Sequence, residues 1–272
     1  MNEKLSVQNL RVAYGRGEVL RDVNFALAQG ETAALLGLNA SGKTTLLRAV
    51  CGLIPLRGGS CRIDGGRYLH LDERHRAKLI SYLPQRPSRL DNLSVMDVVL
   101  MGFNPHISFF ASPGKSERAA SLQALDRLGM KSLAEKDFSL LSEGQKQLVL
   151  LARALVQDTG LLLLDEPDSA LDYTNRHLVL SLLRNLVKQG SRSALITLHD
   201  PNFALAYCDR LLILKDGVIA RDQALSTCGA QELRSCLSLV FGQVDVIVSQ
   251  GRFIMVGGLS SAGTPISAEV SG

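Results

Sequence analysis

Little in this chain of 272 residues is in excess. Its five cysteines, Cys51, Cys61, Cys208, Cys228 and Cys236, are odd in number and show no C-x-x-C spacing. That argues against a disulfide framework or a zinc array and indicates a reducing compartment. No apolar run approaches the length that spans a bilayer, and the N-terminal MNEKLSVQNL lacks the apolar core of a signal peptide. Any role at a membrane must then pass through a partner. Surplus charge is small as well: 30 Lys and Arg against 26 Asp and Glu leave +4. This is too little to demand nucleic acid, and it mildly suits an anionic ligand or the cytoplasmic face of a membrane. There is no internal repeat or long low-complexity tract.

What is present is enough apolar sequence, 46% of residues, to bury a sizeable core. The length suits one core with an inserted subdomain. LSVQNLRVAY alternates like a strand, and ETAALLGL reads as a second strand that runs into a glycine-rich loop and a helix from Gly42 to about Cys51. LLLLDEP and SALITLHD are short apolar runs ending in acids or a histidine, as central parallel strands often do. RLLILKDGVIA reads as two strands around an Asp-Gly turn.

From about Pro87 to Asp158 the texture is helical, with Ser94 and Asp97 in capping-box spacing and a long helix beginning near Glu143. The expected organisation is therefore a discontinuous α/β core, residues 1–86 and 159–230, interrupted by a helical subdomain at 87–158. A C-terminal helix and the hairpin VDVIVSQGRFIMV follow at 231–259, then a small, polar tail at 260–272.

Three short motifs carry chemistry. GLNASGKTT, Gly37 to Thr45, fits G-x-x-x-x-G-K-[ST] in a strand–loop–helix context. In such a loop the backbone N–H groups surround phosphates, Lys43 neutralises them, and the Thr44 hydroxyl reaches Mg²⁺. Asp165 at the end of LLLLDEP would hold Mg²⁺ through water, and Glu166 would polarise an attacking water. In LSEGQ, Leu141 to Gln145, Ser142 stands where a helix N-cap would, so that Ser142, Gly144 and the first helical N–H groups form a second anion site. If the helical subdomain projects from the core, that site serves another copy of the chain.

With these motifs in place the sequence resembles the ATPase subunit of an ABC transporter over nearly its whole length. Tyr14 matches the aromatic that stacks on adenine, Gln85 in YLPQ the Q-loop glutamine, Asp172 in SALD the D-loop aspartate, and His199 in TLHD the switch histidine. Taken singly, Tyr14 reads as a strand-face residue, Gln85 as a loop amide and His199 as a buried hydrogen-bonded imidazole; seven motifs in family order carry the resemblance.

The resemblance implies an α/β fold with a P-loop NTPase (RecA-like) core, N-terminal antiparallel strands and an inserted α-helical subdomain. It implies ATP and Mg²⁺ as cofactors, with Lys43, Gln85, Glu166 and His199 catalytic and Thr44, Gln85 and Asp165 toward the metal. Tyr14, Gly37, Asn39, Ala40, Ser41, Gly42, Lys43, Thr44 and Thr45 would bind nucleotide from one chain. Ser142, Gly144, Gln145 and Asp172 would do so from a second chain packed head to tail.

The chain departs from the family pattern at Ala40 and Glu143, where glycine is usual, and at Leu148, where a basic residue is frequent. Ala40 is harmless at negative φ and otherwise costs about 1–2 kcal/mol. MGFNPHISFF, Met101 to Phe110, is similar to a stretch in importers of iron siderophores, haem and cobalamin. The expected partners are a second copy, a separate permease and, indirectly, a substrate-binding protein, at the cytoplasmic face of the inner membrane. The apolar segment from Leu90 to Phe110, with Phe103, Ile107, Phe109 and Phe110, is the expected permease docking surface. A soluble ABC ATPase acting on nucleic acid or ribosomes would call for a coiled-coil insertion, tandem units or a strongly basic face. An exporter subunit is opposed only by the resemblance at Met101 to His106.

Overall fold

A computed structural model describes residues 2–15, 17–85, 90–108, 111–190 and 192–257. Phe109, Phe110 and the tail at 260–272 lie outside the described residues. Strands β1 (Glu3–Tyr14) and β2 (Gly17–Ala28) form a long antiparallel hairpin, and β1 also pairs with β4 (Gly58–Ile63), which leads to the short β5 (Gly66–Arg67). This four-stranded sheet runs in the order β2-β1-β4-β5.

The central sheet has six strands. β3 (Thr32–Leu36), β6 (Ile80–Leu83), β7 (Leu161–Asp165), β8 (Ser193–Thr197) and β9 (Arg210–Lys215) are mutually parallel in the order β9-β3-β8-β7-β6. β10 (Val218–Ala224) pairs antiparallel at one edge, through a turn at Asp216 and Gly217 with φ of 50° and 77°. These left-handed residues give a hairpin turn whose twist matches its strands.

Strand periodicity divides the interior into two cores. Ala33, Leu35, Leu161, Leu163, Leu195, Leu212 and Leu214 face the antiparallel sheet and α1 (Lys43–Val50). Their sequence neighbours Ala34, Leu36, Leu162, Leu164, Ala194, Ile196, Leu211 and Ile213 face the other way. That second core takes in α3 (Val95–Leu100), α4 (Lys115–Arg127) and α5 (Glu143–Val156) from between β6 and β7. It also holds α6 (Tyr173–Gln189), α7 (Pro201–Tyr207), α8 (Ala230–Phe241) and the inner residues of the hairpin β11 (Val244–Ser249) and β12 (Arg252–Gly257). Short α2 (Glu73–Ala77) precedes β6, and among the described residues no helix is long and apolar enough to cross a membrane.

Much of the apolar segment after Gln85 turns inward. Val95, Met96, Val98 and Val99 are fully buried, Leu90, Leu93 and Leu100 pack against the same core, and Phe103 and Ile107 are half-buried. Gly102 explains part of the MGFNPH stretch: a Cβ there would lie 2.4 Å from the Arg153 carbonyl oxygen and 2.6 Å from Val156 Cγ2. Glycine lets this turn rest directly on α5. We expect Gly102→Ala to lower the unfolding free energy by about 1–3 kcal/mol, read from urea midpoints; an unchanged midpoint would show the contact to be slack.

Candidate nucleotide site

The site gathers at the carboxyl ends of β3, β7 and β8, where an open parallel sheet presents its crevice. β3 ends at Leu36 and turns at Gly37, where a Cβ would lie 2.5 Å from both the Leu214 carbonyl oxygen and Ser41 Oγ. Gly42 sits at φ +105°, and a Cβ there would meet Leu20 at 2.9 Å. Between them Ala40 adopts φ 61°, so the harmless alternative of a negative φ is not realised and alanine is strained. The Lys43 ammonium folds across the loop and donates to the carbonyl oxygens of Gly37 (2.8 Å) and Leu38 (3.1 Å).

Helix α1 begins at Lys43 with no side-chain cap and no acidic residue in its first turn. Its leading N–H groups are left for an anion. They border a cavity of about 380 Å³ lined by Val19, Asn39, Ala40, Ser41, Gly42, Lys43, Thr44, Thr45, Gln85 and Glu166. Burial holds Lys43 below the ordinary lysine pKa, with Glu166 and then Asp165 pulling the other way.

Asp165 is fully buried at the end of β7. Burial raises its pKa, opposed by the hydroxyls of Thr44 and Thr197. Its Oδ1 accepts from Thr197 Oγ1 at 2.8 Å, while Oδ2 has no hydrogen-bond partner among the described residues. An orphaned carboxylate oxygen beside a threonine hydroxyl is the kind of hard oxygen donor set that a magnesium ion takes. The residues present therefore fit Mg²⁺ at Asp165 and Thr44.

Glu166 is held on every side. Its Oε2 accepts from Gln85 Nε2 at 2.5 Å, and His199 Nε2 lies 2.6 Å from Oε1. Its own N–H donates to Thr197 Oγ1 at 2.7 Å, its carbonyl accepts from Ser169 Oγ at 3.1 Å, and it stands at φ 51°. A non-glycine residue in that region is strained unless its neighbours over-determine it, and here they do.

Sequence reasoning placed Glu166, Gln85 and His199 in separate motifs; the fold brings them together. It overlooked Thr197, whose one hydroxyl ties both acids, although the residue was visible two positions before His199. Asp168 was overlooked too: it is 4% exposed, its Oδ1 lacks a partner among the described residues, and burial raises its pKa. Val19, which lines the cavity, carried no sequence signal.

Other expected site residues stand apart from this cavity. Tyr14 ends β1 with 52% of its surface exposed and is not among the lining residues. Asp172 caps α6, accepting from Asn175 N at 2.8 Å. Ser142 and Gln145 form a reciprocal capping box at the start of α5. Gly144 lies against its own chain's loop after Glu166, since a Cβ there would be 2.8 Å from the Ala170 carbonyl oxygen. The Glu143 carboxylate turns to Lys146 Nζ at 2.8 Å, which screens its charge, and Leu148 is buried in the helical core.

This arrangement of phosphate loop, paired acids and flanking amide and imidazole defines a nucleotide-hydrolysing cassette. Residues 20–169 match the family described as ABC transporter. A Helicobacter pylori protein named for iron chelatin transport ATP binding is 38% identical over 78% of this chain and 84% of its own. The hemin import ATP-binding protein of Pseudomonas entomophila is 38% identical over 90% and 94%. The zinc transport system ATP-binding protein of Treponema pallidum is 38% identical over 82% of each.

Among solved structures, one described as a metal-chelate type ABC transporter in an inward-facing conformation superposes with a TM-score of 0.77 at 32% identity, covering 94% of this chain and 97% of that one. A dimeric ATP-binding cassette in a post-hydrolysis state, bound to ADP and phosphate, gives 0.75 at 27% identity over 81% and 98%. The chain belongs to the ABC transporter family, as an ATP-binding subunit with ATPase activity in transport.

The strain at Ala40 is directly testable. Ala40→Gly relieves a left-handed Cβ and should raise the unfolding free energy by about 1 kcal/mol. A loss of stability on chemical denaturation would mean that packing of the Ala40 methyl outweighs its backbone strain.

Proposed function

We propose that the chain is the ATP-hydrolysing subunit of an importer for a metal chelate of the iron-siderophore, haem or cobalamin class. It works as a head-to-tail homodimer beneath a separate permease at the cytoplasmic face of the inner membrane, the permease receiving cargo from a substrate-binding protein. The observation that carries the catalytic part is the Glu166 carboxylate held between Gln85 and His199 at the mouth of the phosphate-loop cavity.

In this reading the N–H groups of Gly42 to Thr45 and the Lys43 ammonium bind the β- and γ-phosphates. Thr44 and Asp165 would hold Mg²⁺, which would supply positive charge against the phosphates. Glu166 accepts a hydrogen bond from the attacking water and draws its proton, and Gln85 and His199 keep that carboxylate aimed. Tyr14 supplies an exposed ring for adenine. Ser142, Gly144, Gln145 and Asp172 act on the second copy's nucleotide, which accords with their absence from their own chain's cavity. The cargo class rests on the names of the relatives and on the MGFNPH stretch. Because one relative is named for zinc, identifying the permease that co-purifies from native membranes tests the cargo separately.

Glu166→Gln keeps the shape and removes the base. ATP binding should persist while turnover falls by about 10² or more; wild-type turnover would remove Glu166 from this role. The composite site has its own test. Mixing Lys43→Ala chains with Ser142→Arg chains makes heterodimers with one intact site and one doubly damaged site, so ATP-dependent dimerisation should partly return. Mixtures no better than either variant alone would mean that each chain works with its own residues.

A further inference from the structure

His199 makes its 2.6 Å contact with Glu166 while its side chain is 49% exposed. The half-exposed imidazole is held from one side only, by Glu166, so the backbone on either side also sets its place. On one side β8 ends at Thr197, bonded to both acids. On the other, Asp200 caps α7 and Pro201 opens it. Where α7 sits therefore decides where residue 199 stands.

α7 is fastened from two directions. Asn202 Nδ2 donates to the Met255 carbonyl oxygen at 3.1 Å, and Asn202 Oδ1 accepts from the Met255 N–H at 2.8 Å. A side-chain amide thus pairs with strand β12 as a neighbouring strand would. Toward α6, the Tyr207 hydroxyl and His177 Nδ1 share a hydrogen bond. The His177 ring lies edge-on to Phe203 at 5.0 Å and to Tyr173 at 4.5 Å, a favoured aromatic geometry. Tyr173 directly follows the cap Asp172. None of these residues lines the nucleotide cavity, yet both fastenings bear on the loop that carries His199.

We propose that α7 is a positioning element for His199, with Asn202, His177 and Tyr207 as positioning residues, so that the C-terminal hairpin bears on ATP hydrolysis through Met255. The inference rests on the role given to His199 above. A misplacement of about 1 Å at a reacting group can cost on the order of 10²-fold in rate, so a small shift of α7 is enough to matter.

The test uses the full chain with ¹⁵N-labelled histidine. There are five histidines, so His199→Ala identifies the His199 resonances. Tyr207→Phe keeps the ring and removes the hydroxyl; Asn202→Ala removes the amide. In each variant the His199 imidazole signals should shift while those of His75 and His106 stay, and kcat should fall about tenfold with KM for ATP within about twofold. On a His199→Ala background neither substitution should lower kcat further. Unmoved His199 resonances in folded variants overturn the proposal. So does an equal loss of kcat on the His199→Ala background, which marks a merely structural role. Should His199→Ala itself turn over ATP normally, the catalytic role of His199 falls, and the imidazole resonances still decide whether α7 seats it.

Discussion

The site depends on keeping two adjacent carboxylates at the end of a buried strand. Asp165 is 0% exposed and Glu166 6%. Burial is the chief opposition to charge on Asp165, and the neighbouring Glu166 carboxylate adds to it. The structure answers with dipoles and cations drawn from different elements. Thr197 comes from β8, Thr44 and Lys43 from the start of α1, Gln85 from the segment after β6 and His199 from the loop after β8. The strand order β3-β8-β7-β6 is what puts these four sources within reach of one another.

Two of the positive-φ non-glycine residues fall within this crowded site. Ala40 and Glu166 both stand at positive φ, one inside the phosphate loop and one beside the acid that ends β7. Ala40 lies between Gly37 and Gly42, whose close approaches only glycine allows, and Glu166 is held by Gln85, His199 and Thr197. At Gly217 a Cβ would lie 2.5 Å from the Val19 carbonyl oxygen, so the β9–β10 turn is pressed against the strand lining the cavity. Strain persists there because the surrounding packing over-determines the conformation. The family's usual glycine at position 40 would adopt the same turn without that cost.

Two peptides that look alike in sequence, each a small residue set before a helix, end in different circumstances. α1 has no side-chain cap, and its first N–H groups open into a cavity. α5 has a complete capping box, its first residue Glu143 pairs with Lys146, and its Gly144 rests on the loop after Glu166. Gln147, 3% exposed, reaches from α5 to the Glu166 carbonyl oxygen at 3.4 Å. The second helix is thus tied to the loop of the acids while contributing nothing to the cavity of its own chain.

Local pattern alone indicated the strands within 5–14 and 31–38, the Asp-Gly turn at 216–217, the C-terminal hairpin, the capping box at Ser94, the N-cap at Ser142, and the phosphate-loop and acid motifs that carry Lys43, Thr44, Asp165 and Glu166. In each of these, period, turn chemistry or spacing is written in contiguous residues. Other features needed the fold. Thr197 joins the acids only because β8 lies beside β7, and Asn202 meets Met255 only because the hairpin returns across α7. The positive φ of Ala40 is seen only in the folded loop, where Gly37 packs against Leu214 from far along the chain. Of the apolar segment from Leu90 to Phe110, read as surface, Val95, Met96, Val98 and Val99 are core while Phe103 and Ile107 are half-buried, because whether a hydrophobic face is covered depends on what packs against it. Motifs are local chemistry and legible as such; contacts between distant segments are chosen by the packing of the whole sheet, which no single stretch encodes.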